Sequence, residues 1–261
     1  MTRWVSTFLL LAVSPAQALQ LPAAGAAPLA DNSFLVEEAY NHERGVVQHI
    51  AFFHLRHRSV NWALGITQEW PAWSERHQVS YTVPLLSRST GTALGDVAVH
   101  YRYQALAGDV ALAPRVSLLL PTGSSEAGTT VGGMGVQVAM PASFRLSPLF
   151  TAHLNAGAGV IPEAGTPASG TGRLLNGFVG GSIIFFLRPR LNLLAEFLAV
   201  GESWDTSAWE GGTLGALGVR WGHDLPGGVQ LVPGLGWAVG GGLERSAAGP
   251  LAYLSLEHRF R

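Results

Sequence analysis

Cysteine is absent from the 261 residues, which removes disulfide scaffolds, cysteine nucleophiles and thiolate metal sites together. A chain exported unfolded into an oxidising compartment is also spared stray cross-links. Charge is scarce: 13% of residues are Asp, Glu, Lys or Arg, against about 25% in soluble proteins. A soluble protein of this size would struggle to cover its surface. The formal net charge of -1 carries no basic stripe or patch, so nucleic acid is not an expected partner. Long apolar runs are missing too. No stretch beyond the N-terminus approaches about 18 uninterrupted apolar residues, and a membrane would not be crossed by helices.

Glycine is what the chain has in abundance, at 33 residues, and it suits turns, bulges and close-packed strands better than helices. No linker or composition break divides the chain, so one domain is expected. At the N-terminus, Arg3 is followed by the apolar run Trp4 to Val13 and by Ala16-Gln17-Ala18. A positive start, an apolar core and a small-x-small site predict a secretory signal peptide over residues 1–18. The run is about ten residues long, half of what a spanning helix needs. Residues 19–45 form a mature N-terminal segment, Ala/Pro-rich as far as Asn32, with Ser33 to Gly45 lying in the periplasm or entering a lumen.

The remaining way to span a membrane is a closed barrel, whose strands satisfy one another's backbone and leave no edge. Such a barrel shows segments of about ten residues alternating apolar and polar. Asp96 to Leu106 places Val97, Val99, Tyr101, Tyr103 and Ala105 opposite Ala98, His100, Arg102 and Gln104. Phe150 to Ala158 and Leu191 to Val200 repeat the pattern, a period of two and not 3.6. Strands are expected near Val46–Arg56, Trp62–Ala72, His77–Leu86, Asp96–Leu106, Val110–Leu120, Gly133–Arg145, Leu149–Ile161, Arg173–Leu187, Leu191–Gly201, Gly212–Gly222, Val229–Val239 and Leu251–Arg261. The fold class is therefore all-β, a transmembrane antiparallel up-and-down barrel of about 12 strands over residues 46–261.

Loop lengths carry an independent signal. Ala107-Gly108-Asp109, Ser147-Pro148, Arg188-Pro189-Arg190 and Leu225-Pro226-Gly227-Gly228 are tight, whereas Pro121–Gly132, Pro162–Gly172, Glu202–Gly211 and Gly240–Pro250 are long. Short periplasmic turns alternating with long outer loops mark outer-membrane barrels, and with both termini periplasmic the count must be even. Trp62, Trp70, Trp73, Tyr81, Tyr101, Tyr103, Trp221, Trp237 and Phe260 fall near strand ends, where aromatic rings form girdles at the headgroups or, on the plainer reading, fill a β core. The last segment is amphipathic, with Ala252, Leu254, Leu256 and Phe260 on one face, though Arg261 follows the closing aromatic. Such a strand makes the barrel-assembly machinery an expected partner, beside outer-membrane lipid and a small-molecule solute.

At Ala93–Tyr103 (ALGDVAVHYRY), Ala113–Gly123 (APRVSLLLPTG) and Leu191–Glu196 (LNLLAE), the chain resembles the outer-membrane transporter-like proteins associated with the meta-pathway of phenol degradation. The likeness runs from Gly91 to the C-terminus, with Asn32–Ile50 (NSFLVEEAYNHERGVVQHI) as a distinctive lead-in of no assigned mechanism. The resemblance implies an outer-membrane barrel taking up aromatic or other hydrophobic compounds, and it supplies no catalytic residue.

With the oily faces on lipid, the opposite faces define the candidate site: Glu69, His100, Arg102, Gln104, Arg115, Ser117, His153, Asn155, Asn192, Glu196, Arg220, Tyr253, Glu257 and Arg259. Two readings stay open. The charges pair across a narrow lumen and fix its shape, or they meet a solute, with Arg102, Arg115 and Arg220 facing Glu196 and Glu257 across a pore. Ser117, His153 and Asn155 hold the residue types of a hydrolase triad, but no nucleophile elbow surrounds Ser117 and a lipid-cleaving site must face lipid. His42, His49, His54 and His57 cluster in sequence, yet His49 and His54 point to opposite faces of a strand. No metal site and no cofactor is expected, and Gly177–Gly181 lacks the following helix of a phosphate loop. The leading reading is a channel without enzymatic activity. A plugged structural or receptor barrel is the alternative, followed by a lipid hydrolase and a secreted β-sandwich.

Overall fold

A computed structural model of the chain describes residues 33–56, 61–166, 170–205, 207–242, 244 and 247–260. The expected signal peptide and His57 lie outside the described residues. The strands are β1 (Val46–Leu55), β2 (Trp62–Ala72), β3 (His77–Arg88), β4 (Gly91–Leu94), β5 (Val97–Tyr103), β6 (Val110–Leu112), β7 (Arg115–Leu120), β8 (Gly135–Ser147), β9 (Phe150–Thr166), β10 (Gly170–Arg188), β11 (Leu191–Trp204), β12 (Glu210–Trp221), β13 (His223–Leu225), β14 (Val229–Gly242) and β15 (Gly249–Arg259). Three of them are short additions: β4 folds back on β3, β6 lies on β8 and β13 on β14. The others pair antiparallel in sequence order, and β1 meets β15 from Val46↔Arg259 to His54↔Leu251. The result is a closed 12-stranded antiparallel β-barrel.

The alternation of side chains sorts polarity as the inverse of a soluble protein. Val99, Val116, Val138, Leu154, Ile183, Phe197, Val239 and Leu254 are exposed on the outer wall, with Leu217 at 69%. Gln78, Thr82, His100, Ser117, Gln137, Asn155, Ser182 and Ser255 are buried on the inner one. An apolar exterior around a polar interior has a favourable solvent only in lipid.

Local chemistry explains where the strands depart from their expected bounds. The stretch Val110–Leu120 is broken into β6 and β7. Pro114 stands at the break, has no N–H to give a ladder, and its carbonyl accepts the Tyr103 amide at 3.0 Å. The connection from β5 is thus longer than the expected Ala107–Asp109 turn. At the opposite end β9 and β10 continue through most of the expected Pro162–Gly172 loop, pairing as far as Thr166↔Gly170. Their protruding part is held from within, because Ile161, Ala164 and Leu174 bury together with Val131 of the β7–β8 loop. That loop is pinned by Asp96, whose two carboxylate oxygens accept the Gly123 and Val131 amides, each at 2.9 Å.

Candidate functional site

Residues 33–45 form no strand, and their backbone groups must find partners elsewhere. They find them on the inner wall of the barrel. Glu196 of β11 accepts the Phe34 amide at 2.6 Å and the Leu35 amide at 2.7 Å, one on each carboxylate oxygen. Asn155 of β9 accepts the Glu37 amide at 2.7 Å and returns a bond to the Glu37 carbonyl at 2.8 Å. Ser143 of β8 accepts the Ala39 amide at 2.7 Å. Gln104, just past β5, accepts from Asn41 at 2.7 Å, and Gln78 of β3 accepts from His42 at 3.0 Å. The segment thus crosses the lumen from the β10–β11 wall to the β3 wall and leaves at Gly45, whose carbonyl accepts the Phe260 amide at 2.8 Å.

Charged groups of the wall hold the same segment. Arg115 of β7 is ion-paired with Glu37. Arg102 of β5 donates to the Asn41 side chain at 2.9 Å and to the Tyr40 carbonyl at 2.6 Å. His42 lies 3.7 Å from Glu69 and 3.8 Å from Glu257. Where the segment reaches the short-turn end, Tyr40 donates its hydroxyl to the Gly108 carbonyl at 2.8 Å, and burial holds that phenol above its ordinary pKa. Nearby, Ala39 packs on Ala111 and Ala113 of the displaced β5–β7 connection. The break at Pro114 therefore shapes the floor of the lumen.

The wall is apolar where the segment is apolar. Phe34, Leu35 and Val36 bury against Ile184, Leu194, Leu198, Leu214, Val232 and Tyr253, among others. The Phe34 ring meets Tyr253 edge-on at 6.1 Å and 76°. Its seat is made by absence of side chains: a Cβ on Gly218 would collide with the ring, and one on Gly234 or Gly236 would stand only 3.0 Å from it. Sequence reasoning left Ser33 to Gly45 as periplasmic or lumen-entering and did not single out Phe34, Glu37, Asn41 or His42 as lumen residues. The visible signal was an apolar triplet followed by paired acids in a segment without strand periodicity.

Among the residues expected to line the lumen, Glu69, Arg102, Gln104, Arg115, Asn155, Glu196, Tyr253 and Glu257 meet this segment directly, and His153 meets it through Ser143 at 2.7 Å. His100 and Ser117 belong to a separate hydrogen-bonded belt. Thr67 and Thr82 are 2.8 Å apart, Thr82 and His100 3.2 Å, and His100 and Ser117 2.7 Å, which ties β2, β3, β5 and β7 together. Asn192 and Arg220 are fully buried in the interior. Arg259 lies outside it, exposed at the rim and 3.4 Å from Glu43. Ser117, His153 and Asn155 are not brought together. Ser117 faces Gln137 and Gln137 faces Gly159, and His153 lies a further 20 Å or so down β9 at about 3.3 Å per residue. The described histidines are dispersed too: His42 is in the lumen, His54 bonds the Ala247 carbonyl at 2.6 Å, and His49 stacks on His258 on the outer face.

No family model and no curated protein matches this sequence. Solved structures do. An outer membrane channel from Pseudomonas putida F1 is similar with a TM-score of 0.62 and 13% identity, over 85% of this chain and 98% of that one. The NanC porin is similar with a TM-score of 0.53 and 10% identity, over 82% of this chain and 99% of that one. At such identities the likeness establishes the fold, and the fold is that of outer-membrane β-barrels.

Proposed function

We propose that this chain is an outer-membrane channel for small molecules, and that residues 33–45 are a plug which must yield before a solute passes. The observation that carries the reading is the occupied lumen: a segment without secondary structure bonded to β3, β8, β9 and β11 from inside. The apolar outer band fits bilayer lipid, and the amphipathic closing strand β15 fits recognition by the assembly machinery. Two features support a hydrophobic or aromatic solute. One is the resemblance at Ala93–Tyr103 to the transporter-like proteins of the phenol meta-pathway, and the other is the apolar sector of the inner wall around Leu194, Leu214 and Val232.

A second reading, a permanently plugged barrel with a structural or receptor role, draws on the same hydrogen bonds, since a segment so fully satisfied is costly to withdraw. Sugar efflux from proteoliposomes separates the two. The channel reading expects efflux above that of empty vesicles, rising when the plug is loosened. Vesicles as tight as empty ones, with wild-type and loosened protein alike, would leave the structural reading. Heat-modifiable migration and outer-membrane fractionation test the location, and recovery in the soluble fraction would sink it.

A further inference from the structure

Arg102 and Arg115 stand directly opposite each other in the β5–β7 ladder, and both face the interior at 2% exposure. Like charges at facing cross-strand positions repel, and away from water the repulsion grows. A buried pair of this kind needs anions beside it. Among the described residues, the wall carboxylate acting on Arg102 is that of Glu69. The others come from the plug. Glu37 pairs with Arg115, and Glu38, fully buried, lies near Arg102. Withdrawal of the plug removes both, and among the described residues it leaves Glu69 as the wall carboxylate acting on Arg102.

A second cationic station lies at the long-loop end. Leu55, Trp62 and Ser87 form one row across β1, β2 and β3, which sets Arg56 and Arg88 at a common height. Glu244, on the β14–β15 loop, acts on both, 3.9 Å from Arg56. Arg88 feels the charges of Arg56 and Glu244 but has no hydrogen-bond or ion-pair acceptor among the described residues. The chain contains no lysine, so every fixed side-chain cation is a guanidinium, whose planar fork matches a carboxylate in two parallel hydrogen bonds.

We propose that the lumen recognises solutes bearing a carboxylate, and that Glu37 holds their place on the Arg102–Arg115 pair while the plug is seated. This rests on the channel reading above. An incoming carboxylate, first met at Arg56 and Arg88, replaces Glu37 without leaving the arginines bare at any stage. A neutral solute of the same size cannot make that exchange. Only a difference in affinity between the two states shifts the plug, and the carboxylate supplies that difference.

The test is efflux of glucose and gluconate from proteoliposomes, a pair matched in size and unable to cross lipid alone, with wild type, Glu37→Gln, Glu37→Gln/Arg115→Gln and Arg88→Gln. Glu37→Gln keeps the shape of the plug and removes its anion, so the gluconate-to-glucose ratio should rise about tenfold over wild type. The double variant deletes both charges of the pair, which spares the fold a bare buried ion, and should bring the ratio back to that of wild type or below it. Arg88→Gln changes a partly exposed mouth residue with no acceptor among the described residues and should lower the wild-type ratio. Equal ratios in all four proteins, with glucose passing, would overturn anion recognition and leave the channel standing. Efflux of neither sugar from any of them would overturn both.

Discussion

The Phe34 ring rests on Gly218 so closely that a Cβ at that glycine would overlap it, while Gly234 and Gly236 complete the seat from β14. A Cβ at Gly218 would also press on the Leu235 carbonyl of the wall at 2.9 Å, whereas at Gly234 the nearest atoms belong to side chains, the Phe34 ring and Arg220, both at 3.0 Å. Gly234→Ala should therefore act on the plug more than on the wall. Overpacking of a filled site costs about 1–3 kcal/mol, enough to shift the seating equilibrium by roughly tenfold or more. We expect sugar efflux to increase while heat-modifiable migration still reports a closed barrel. Efflux equal to that of wild type would mean that the ring is not what keeps the plug in place.

Glu196 holds the plug by its backbone, taking the Phe34 and Leu35 amides at 2.6 and 2.7 Å. Glu196→Ala leaves both donors buried without an acceptor, at about 1–3 kcal/mol each. Because the chain has no cysteine, Ser33→Cys gives a single labelling site beside these bonds. Its reaction with a membrane-impermeant maleimide should be slow in the otherwise native protein and at least about tenfold faster with Glu196→Ala. Equal rates would show that Glu196 does not seat the segment.

The barrel and its plug differ in how far the sequence reveals them, and the reason is physical. A strand buried on one face writes its own pattern: Val99 and Tyr101 out, His100 and Arg102 in, with a period that survives without knowledge of the neighbours. Trp62–Ala72 is legible to the residue for that reason. The plug writes no period, because its amides are satisfied by side chains far away in sequence, Phe34 by Glu196 and His42 by Gln78. A sequence shows that Glu196 faces inward, but not that it will cap a segment more than half the chain away. Arg259 obeys the same alternation and still escapes the lumen, since facing inward at the last turn of a strand means facing the rim. Pro162–Gly172 reads as a loop from its glycines and prolines, and becomes strand because Ile161 and Leu174 have Val131 to bury against.

Asp96 controls the long β7–β8 loop by accepting the Gly123 and Val131 amides on its two oxygens. Asp96→Ala should release that loop at a local cost of about 1–3 kcal/mol, and the barrel below it should remain closed. Hydrogen exchange read by mass spectrometry should quicken over residues 122–131 and not over β11 and β12. Faster exchange throughout the barrel would make Asp96 a determinant of the fold, and no change would remove it as a latch.

At the base of the plug, Glu43 meets Arg259 at 3.4 Å, an ion pair that suggests stabilisation at neutral pH. The pKa of Glu43 argues otherwise: burial raises it, Arg259 only partly offsets the rise, and Glu75 adds to it. A carboxyl whose folded pKa lies above its unfolded value binds its proton more tightly when folded. Its contribution to stability is complete below the ordinary carboxylate pKa, near 4.3, and is lost as pH climbs through the raised folded value. Glu43→Gln holds a neutral group at every pH, so the variant should unfold at a temperature equal to or above that of wild type at pH 7. Toward pH 4 that difference should shrink, because wild type then carries the proton as well. A variant less stable than wild type at pH 7 but matched to it at pH 4 would show that the Arg259 ion pair outweighs the burial of the carboxylate.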